Sequence, residues 1–201
     1  MNGGILMPLT LLAALGSGLV GGVFFGFSGF VMKALARLRP SQGIATMQSI
    51  NAMAVTPPLM IALFGTAMAC LALVVSSLFK WREPVTLFRL FGGGIYLVGA
   101  VLVTMVCNVP LNNALAAVDA DSAEGATQWD RYVPRWTIWN TVRTVAAIVA
   151  SAMFGLALVA RRIGHLSETL RPRKVWTAST LMRNCRRMAD NQLESGQGCR
   201  G

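Results

Sequence analysis

The residues of this chain best placed to do chemistry sit in WNTVRT, residues 139–144, and just ahead of it. Residues 136–160 form an apolar run whose only charge is Arg143. A cation inside such a run is costly and marks a functional position unless it finds acceptors. Trp136, Asn140 and Arg143 stand at i, i+4 and i+7 and therefore share one helix face. A second polar cluster, CNVPLNN at residues 107–113, sets Asn108, Asn112 and Asn113 around Pro110. A proline leaves a carbonyl without its donor four residues upstream, here near Val106. Amide oxygens and such a carbonyl are natural acceptors for a guanidinium. Asn108, Asn112, Trp136, Trp139, Asn140 and Arg143 are thus the expected site. Its indoles, with Phe24, Phe27 and Phe30, offer faces for a flat apolar molecule. Three readings stay open for Arg143: snorkelling to lipid headgroups, a polar clasp between two helices, or a ligand pocket.

Metal or haem chemistry needs clustered ligands at short spacing. His165 is the single histidine, and Cys70, Cys107, Cys185 and Cys199 form no CxxC pair. Cys70 and Cys107 lie in apolar runs, where a thiol acts as a small hydrophobe. The expectation is no metal and no cofactor.

The elements that must position these residues follow from composition. The 201 residues are 54% hydrophobic and 13% charged, against about 25% charged in soluble domains. Apolar segments cover about 5–32, 55–79, 88–109 and 136–160. Each is long enough for a bilayer core, which takes about 20 helical residues. Only helices or closed barrels satisfy the backbone there. The expected fold class is an all-α integral membrane four-helix bundle over 1–162, with a basic, disordered tail over 163–201. The first segment lacks a cationic leader and exceeds a signal-peptide core, so it is expected to stay attached. Arg89 is expected as a flanking charge where the third span begins.

Two connections are more than turns. Residues 40–54 repeat apolar side chains at Ile44, Met47, Ile50 and Met53, which predicts a short amphipathic helix. Pro57 and Pro58 then open the second span. Residues 110–135 read as the longest polar loop, with Asp121 and Glu124 as a capping box for a short helix into Trp129. Gly18, Gly22 and Gly26, one turn apart after Ala14, make a small-residue stripe. It serves either internal packing or a homodimer seam.

The net charge is +10, and residues 161–201 carry +6 of it. These cations do not interleave with aromatics on a foldable surface. They fit juxtamembrane flanks and anionic lipid, not nucleic acid. The lipid bilayer is the expected partner. An even number of spans puts both termini on one side, and the tail favours the inside.

Four stretches, GVFFGFSGFVMKALARL, MQSINAMAVTP, NVPLNNAL and RYVPRWTIWNTVRT, resemble the anthrone oxygenase-like family of small bacterial and fungal membrane proteins. The similarity runs in order over about residues 5–160 and leaves the tail out. It implies a multi-pass protein of the bacterial inner membrane and a four-helix fold. In some members it implies cofactor-free oxidation of anthrones by O2. That chemistry needs a base, a donor for the enolate and an apolar cavity. Arg143, Asn140 and Asn108 could supply donors. The family pattern has a histidine after the WN pair. Here that position is Thr141, which is no base near neutral pH. Two functions therefore stand side by side: a membrane protein binding a hydrophobic or aromatic ligand at a polar site, and a cofactor-independent oxygenase of a polycyclic phenolic substrate.

Overall fold

The computed structural model describes residues 3–79, 84–169, 182, 186, 187 and 191. The described residues are helical or in short turns, with no strand. Five helices organise them: α1 (Gly4–Leu35), α2 (Pro40–Ala54), α3 (Pro57–Leu78), α4 (Val85–Ala116) and α5 (Ala123–Gly164). All but α2 are long and apolar enough to cross a membrane. This is an all-α bundle of membrane type, and the chain is a multi-pass membrane protein.

The side-chain distribution states the same physics. Leu12, Leu15, Leu19, Phe25, Met68, Val98, Val145 and Val159 point outward, while Thr10, Ser17, Ala147 and Ala150 are buried. In lipid, apolar side chains gain nothing by hiding from their solvent, so small and hydroxylated residues take the seams. Ser151 Oγ donates to the Ala14 carbonyl at 2.9 Å across α5 and α1. A Cβ on Gly16 would strike Thr66 of α3, and one on Gly99 would strike Ala146 of α5. A Cβ on Gly93 would lie 2.6 Å from Val74 of α3.

The expected glycine stripe packs internally only at its N-terminal end, where Ala14 and Gly18 meet Ser151 of α5. A Cβ on Gly22 meets nothing, one on Gly26 meets only Phe30 of its own helix, and Gly18 faces Ser151. Gly16 and Gly21, off that stripe, make the close approaches. A face of small residues identifies where helices can approach, not which ones do.

The helix over 40–54 forms as expected. Pro40 occupies the first turn, where its missing N–H costs nothing. Ile44 and Met47 are buried, Ile50 is half-buried and Met53 is exposed, so the apolar face drifts as a three-residue repeat must. Gly43 lets Trp129 approach, since a Cβ there would lie 2.7 Å from the indole.

Residues 110–135 depart from expectation. Pro110 does not end the third span, which runs on to Ala116. A π-helical segment, Thr104–Asn108, precedes it, and the Val109 N–H reaches the Thr104 carbonyl. Widening the ladder just upstream accommodates the ring without breaking the rod. The fourth span begins early, at Ala123, and Ser122 Oγ accepts the Gly125 N–H at 2.9 Å. The cap is therefore Ser122, one residue past Asp121. Asp119 Oδ1 accepts the Asp121 N–H instead, as an aspartate turn.

Buried apolar side chains form two clusters. One, with Val20, Phe24, Leu63, Cys70, Leu73, Tyr96, Ala147 and Phe154, joins α1, α3, α4 and α5. The other, with Met32, Leu35, Ile44, Met47, Leu115, Trp129, Tyr132 and Trp136, joins the end of α1 to α2, α4 and α5.

Arg89 is a correction of detail. It is 4% exposed, and its Nε donates to Thr10 Oγ1 at 3.1 Å. It bonds across to α1 instead of reaching outward as a flanking charge.

The chain divides into two units, residues 1–162 and 163–201. In the second, residues 163–169 are helical. Met182, Arg186 and Arg187 are helical and exposed. Asn191 is likewise helical and exposed, and the other residues from 170 on, Cys185 and Cys199 included, lie outside the described residues. So do Lys80, Arg82 and the side chain of His165.

Candidate functional site

Arg143 is 5% exposed. That excludes snorkelling, because the head group is inside the protein. Its position is fixed by one residue on its own helix and one on α4. Arg143 Nη2 donates to Asn140 Oδ1 at 2.6 Å. Arg143 Nη1 donates to Thr104 Oγ1 at 3.1 Å. Thr104 spends its own proton on the Ala100 carbonyl at 2.6 Å, which leaves its oxygen free to accept. The guanidinium carbon lies 4.2 Å from the Phe24 ring centroid and 5.3 Å from that of Trp136. Both distances suit attraction between a cation and a ring face.

Asn140 is wholly committed. Its amide nitrogen donates to the Phe24 carbonyl and to Ser28 Oγ, both at 2.7 Å. Its oxygen receives Arg143. It thus ties α1 to α5 and aims the guanidinium.

Arg143 bonds to Asn140 and Thr104, and Asn108 and Asn112 bond elsewhere. Asn108 Nδ2 donates to the Trp136 carbonyl at 3.3 Å, and its Oδ1 is buried without a partner. Asn112 Oδ1 accepts from Tyr132 Oη at 2.9 Å and from Trp136 Nε1 at 2.8 Å. The two asparagines therefore orient α5 and its aromatic rings. Trp139 is 40% exposed and does not line the cavity described next. At i+3 from Trp136 it has turned outward. Phe24 and Phe27 face inward, while Phe30 is exposed.

A cavity of about 150 Å³ lies against Arg143. Val23, Phe24 and Phe27 come from α1, Met47, Ile50 and Asn51 from α2, and Leu59, Met60 and Leu63 from α3. Thr104, Val109 and Asn112 come from α4, and Trp136, Asn140 and Arg143 from α5. All five helices contribute, and the cavity draws on both apolar clusters. Three lining residues sit in π-helical segments: Phe27 in Phe27–Val31, Leu63 in Ile61–Gly65 and Thr104 in Thr104–Asn108. Such turns recur at functional sites because they redirect side chains without ending a helix. Among the described residues, no carboxylate lines the cavity. Two lining residues, Arg143 and Asn51, carry buried donors, Nε and Nδ2, without a hydrogen-bond partner among the described residues.

With the geometry in place, comparison with known proteins is informative. Residues 57–153 match the anthrone oxygenase family model. That bears out the family resemblance from the second span to the fourth, NVPLNNAL and WNTVRT included. The first span and α2 lie ahead of the matched stretch. No curated protein and no solved structure matches the chain.

Thr141 lies on the other side of the wall from the cavity. It lines a shallow outer groove with Met32, Lys33, Pro134, Thr137 and Val142. Its Oγ1 is 3.0 Å from Ser28 Oγ and donates to the Thr137 carbonyl at 2.8 Å. Residues 140 and 141 differ by 100° around the helix, and here only Asn140 lines the cavity.

The sequence reading missed Thr104, Ser28 and Asn51. Thr104 had a signal, standing four residues before Asn108 in an apolar run. Ser28 and Asn51 had none, because their roles depend on how α1 and α2 pack.

Proposed function

We propose that this anthrone oxygenase-like membrane protein binds a hydrophobic aromatic small molecule in the cavity under Arg143. The observation that carries the reading is a buried guanidinium, with one N–H unpartnered, at the wall of an apolar and aromatic cavity. A purely structural cation would be expected to satisfy all its donors, because an unpaired buried donor costs about 1–3 kcal/mol. Rings of Phe24, Phe27 and Trp136 supply stacking surface. Arg143 is the residue that meets the ligand, Asn140 and Thr104 aim it, and Asn108 and Asn112 hold the wall.

Ligand binding to the folded state raises its stability by mass action. The test is thermal unfolding in detergent with a series of apolar aromatic compounds. The wild-type protein should gain several degrees. Ile50→Trp, which fills the cavity, should gain none. An equal gain in both would place binding elsewhere.

The family match supports a second reading, cofactor-free oxidation of a polycyclic phenol by O2. Arg143 would stabilise the enolate oxygen, but no lining residue is an evident base. Thr141→His would place an imidazole in the outer groove, reaching the cavity only through Ser28 and Asn140. Oxygen uptake with an anthrone, above the spontaneous rate, separates the readings. Turnover by the native chain supports an oxygenase; silence in the native chain and in Thr141→His supports binding alone.

A homodimer through Gly18, Gly22 and Gly26 belongs with these proposals. Gly22 is exposed and its Cβ position is open, which leaves that face free for a second copy.

A further inference from the structure

The cavity has a definite preference in charge and size. Resting on the reading that it is the ligand site, the geometry points to a single-ring aromatic anion, a phenolate or an aryl carboxylate, as its occupant. The charge argument begins with Arg143. It meets a neutral amide, a neutral hydroxyl and two ring faces. Among the described residues, no carboxylate lines the cavity to balance it. A buried cation without a counter-ion is strongly unfavourable, and an anion delivered by a ligand relieves it. Of the residues that line the cavity, Arg143 and Asn51 each carry a buried donor, Nε and Nδ2, without a hydrogen-bond partner among the described residues. They can serve an oxygen acceptor and cannot serve a ligand donor. The Asn140 amide is saturated and Thr104 has spent its proton, so neither competes for that oxygen.

The size argument uses the volume. A cavity of about 150 Å³ is on the scale of an apolar cavity that takes up benzene. One ring fits between Phe27, Ile50 and Leu63 with its oxygen toward Arg143. A three-ring anthrone is larger than this volume and would have to extend beyond it.

The experiment follows the visible absorbance of 4-nitrophenol bound to the full chain in detergent, against empty micelles. The expected result is an ionisation midpoint at least one pH unit lower on the protein than in micelles. Binding should also be at least tenfold tighter than for uncharged 4-nitroanisole, a comparison that needs no variant. Arg143→Gln should remove both differences. Anthracene carboxylate should bind at least tenfold more weakly than benzoate. Equal affinity for 4-nitrophenol and 4-nitroanisole, with an unshifted midpoint, overturns the charge assignment. Equal affinity for the one-ring and three-ring carboxylates overturns the size assignment. If no aromatic compound of any charge or size binds, the ligand-site reading itself fails.

Discussion

Arg143 and Asn140 are neighbours with opposite consequences on removal. Asn140 satisfies the Phe24 carbonyl, Ser28 and the guanidinium at once. Asn140→Leu should lower stability by about 2 kcal/mol, since interhelical hydrogen bonds in membrane proteins are worth about 0.6–1.7 kcal/mol each and a buried charge is orphaned as well. Arg143→Met removes an uncompensated buried charge and fills its volume. Such replacements are often neutral or stabilising, so the melting temperature in detergent should hold or rise while ligand affinity falls at least tenfold. A merely structural arginine would lose both together. At this scale the sequence was legible where side chains share a helix. Trp136, Asn140 and Arg143 do line one cavity. It was illegible across helices: Asn108 and Asn112 were expected on Arg143, and they bond to Trp136 and Tyr132 instead. Spacing along a chain defines a face, whereas the partner of that face depends on helix rotation.

Helices in this protein meet through Gly18 of the obvious motif and also through Gly16, Gly21, Gly93 and Gly99 outside it. Gly99 abuts Ala146, and Gly22 abuts nothing. Gly99→Leu should cost at least about 2 kcal/mol by overpacking α4 on α5. Gly22→Leu should leave the monomer's stability within about 0.5 kcal/mol, as exposed positions do. Unfolding in a denaturing detergent titration checks both. Light scattering on Gly22→Leu then reports self-association alone. The four apolar helices and α2 were legible because length, periodicity and proline position are local. The true extent of the third and fourth was not. Pro110 reads as a stop, but the π-helical segment before it carries the helix through. The polar composition of residues 110–135 reads as loop, yet all but a short turn around residues 117–122 is helical. Trp129, Tyr132 and Trp136 supply that early part of α5 with a buried face.

The whole molecule turns bulky apolar side chains outward and gathers its buried arginines inside. Alkaline washing should therefore leave it in the membrane fraction, and release by that treatment would contradict the bilayer assignment. Two apolar clusters share one cavity, and all five helices wall it. A site assembled from five elements has no compact motif, which is why its α2 and α3 walls did not stand out in the sequence, while Phe24, Phe27, Asn112 and the α5 residues did. The central claim is that this cavity receives an aromatic ligand at Arg143. The most direct measurement is fluorine NMR of 4-fluorophenol with the detergent-solubilised chain and with Ile50→Trp. A distinct bound resonance in the native protein, absent from the filled variant, is the expected result. No bound resonance, or one that persists unchanged in Ile50→Trp, would contradict it.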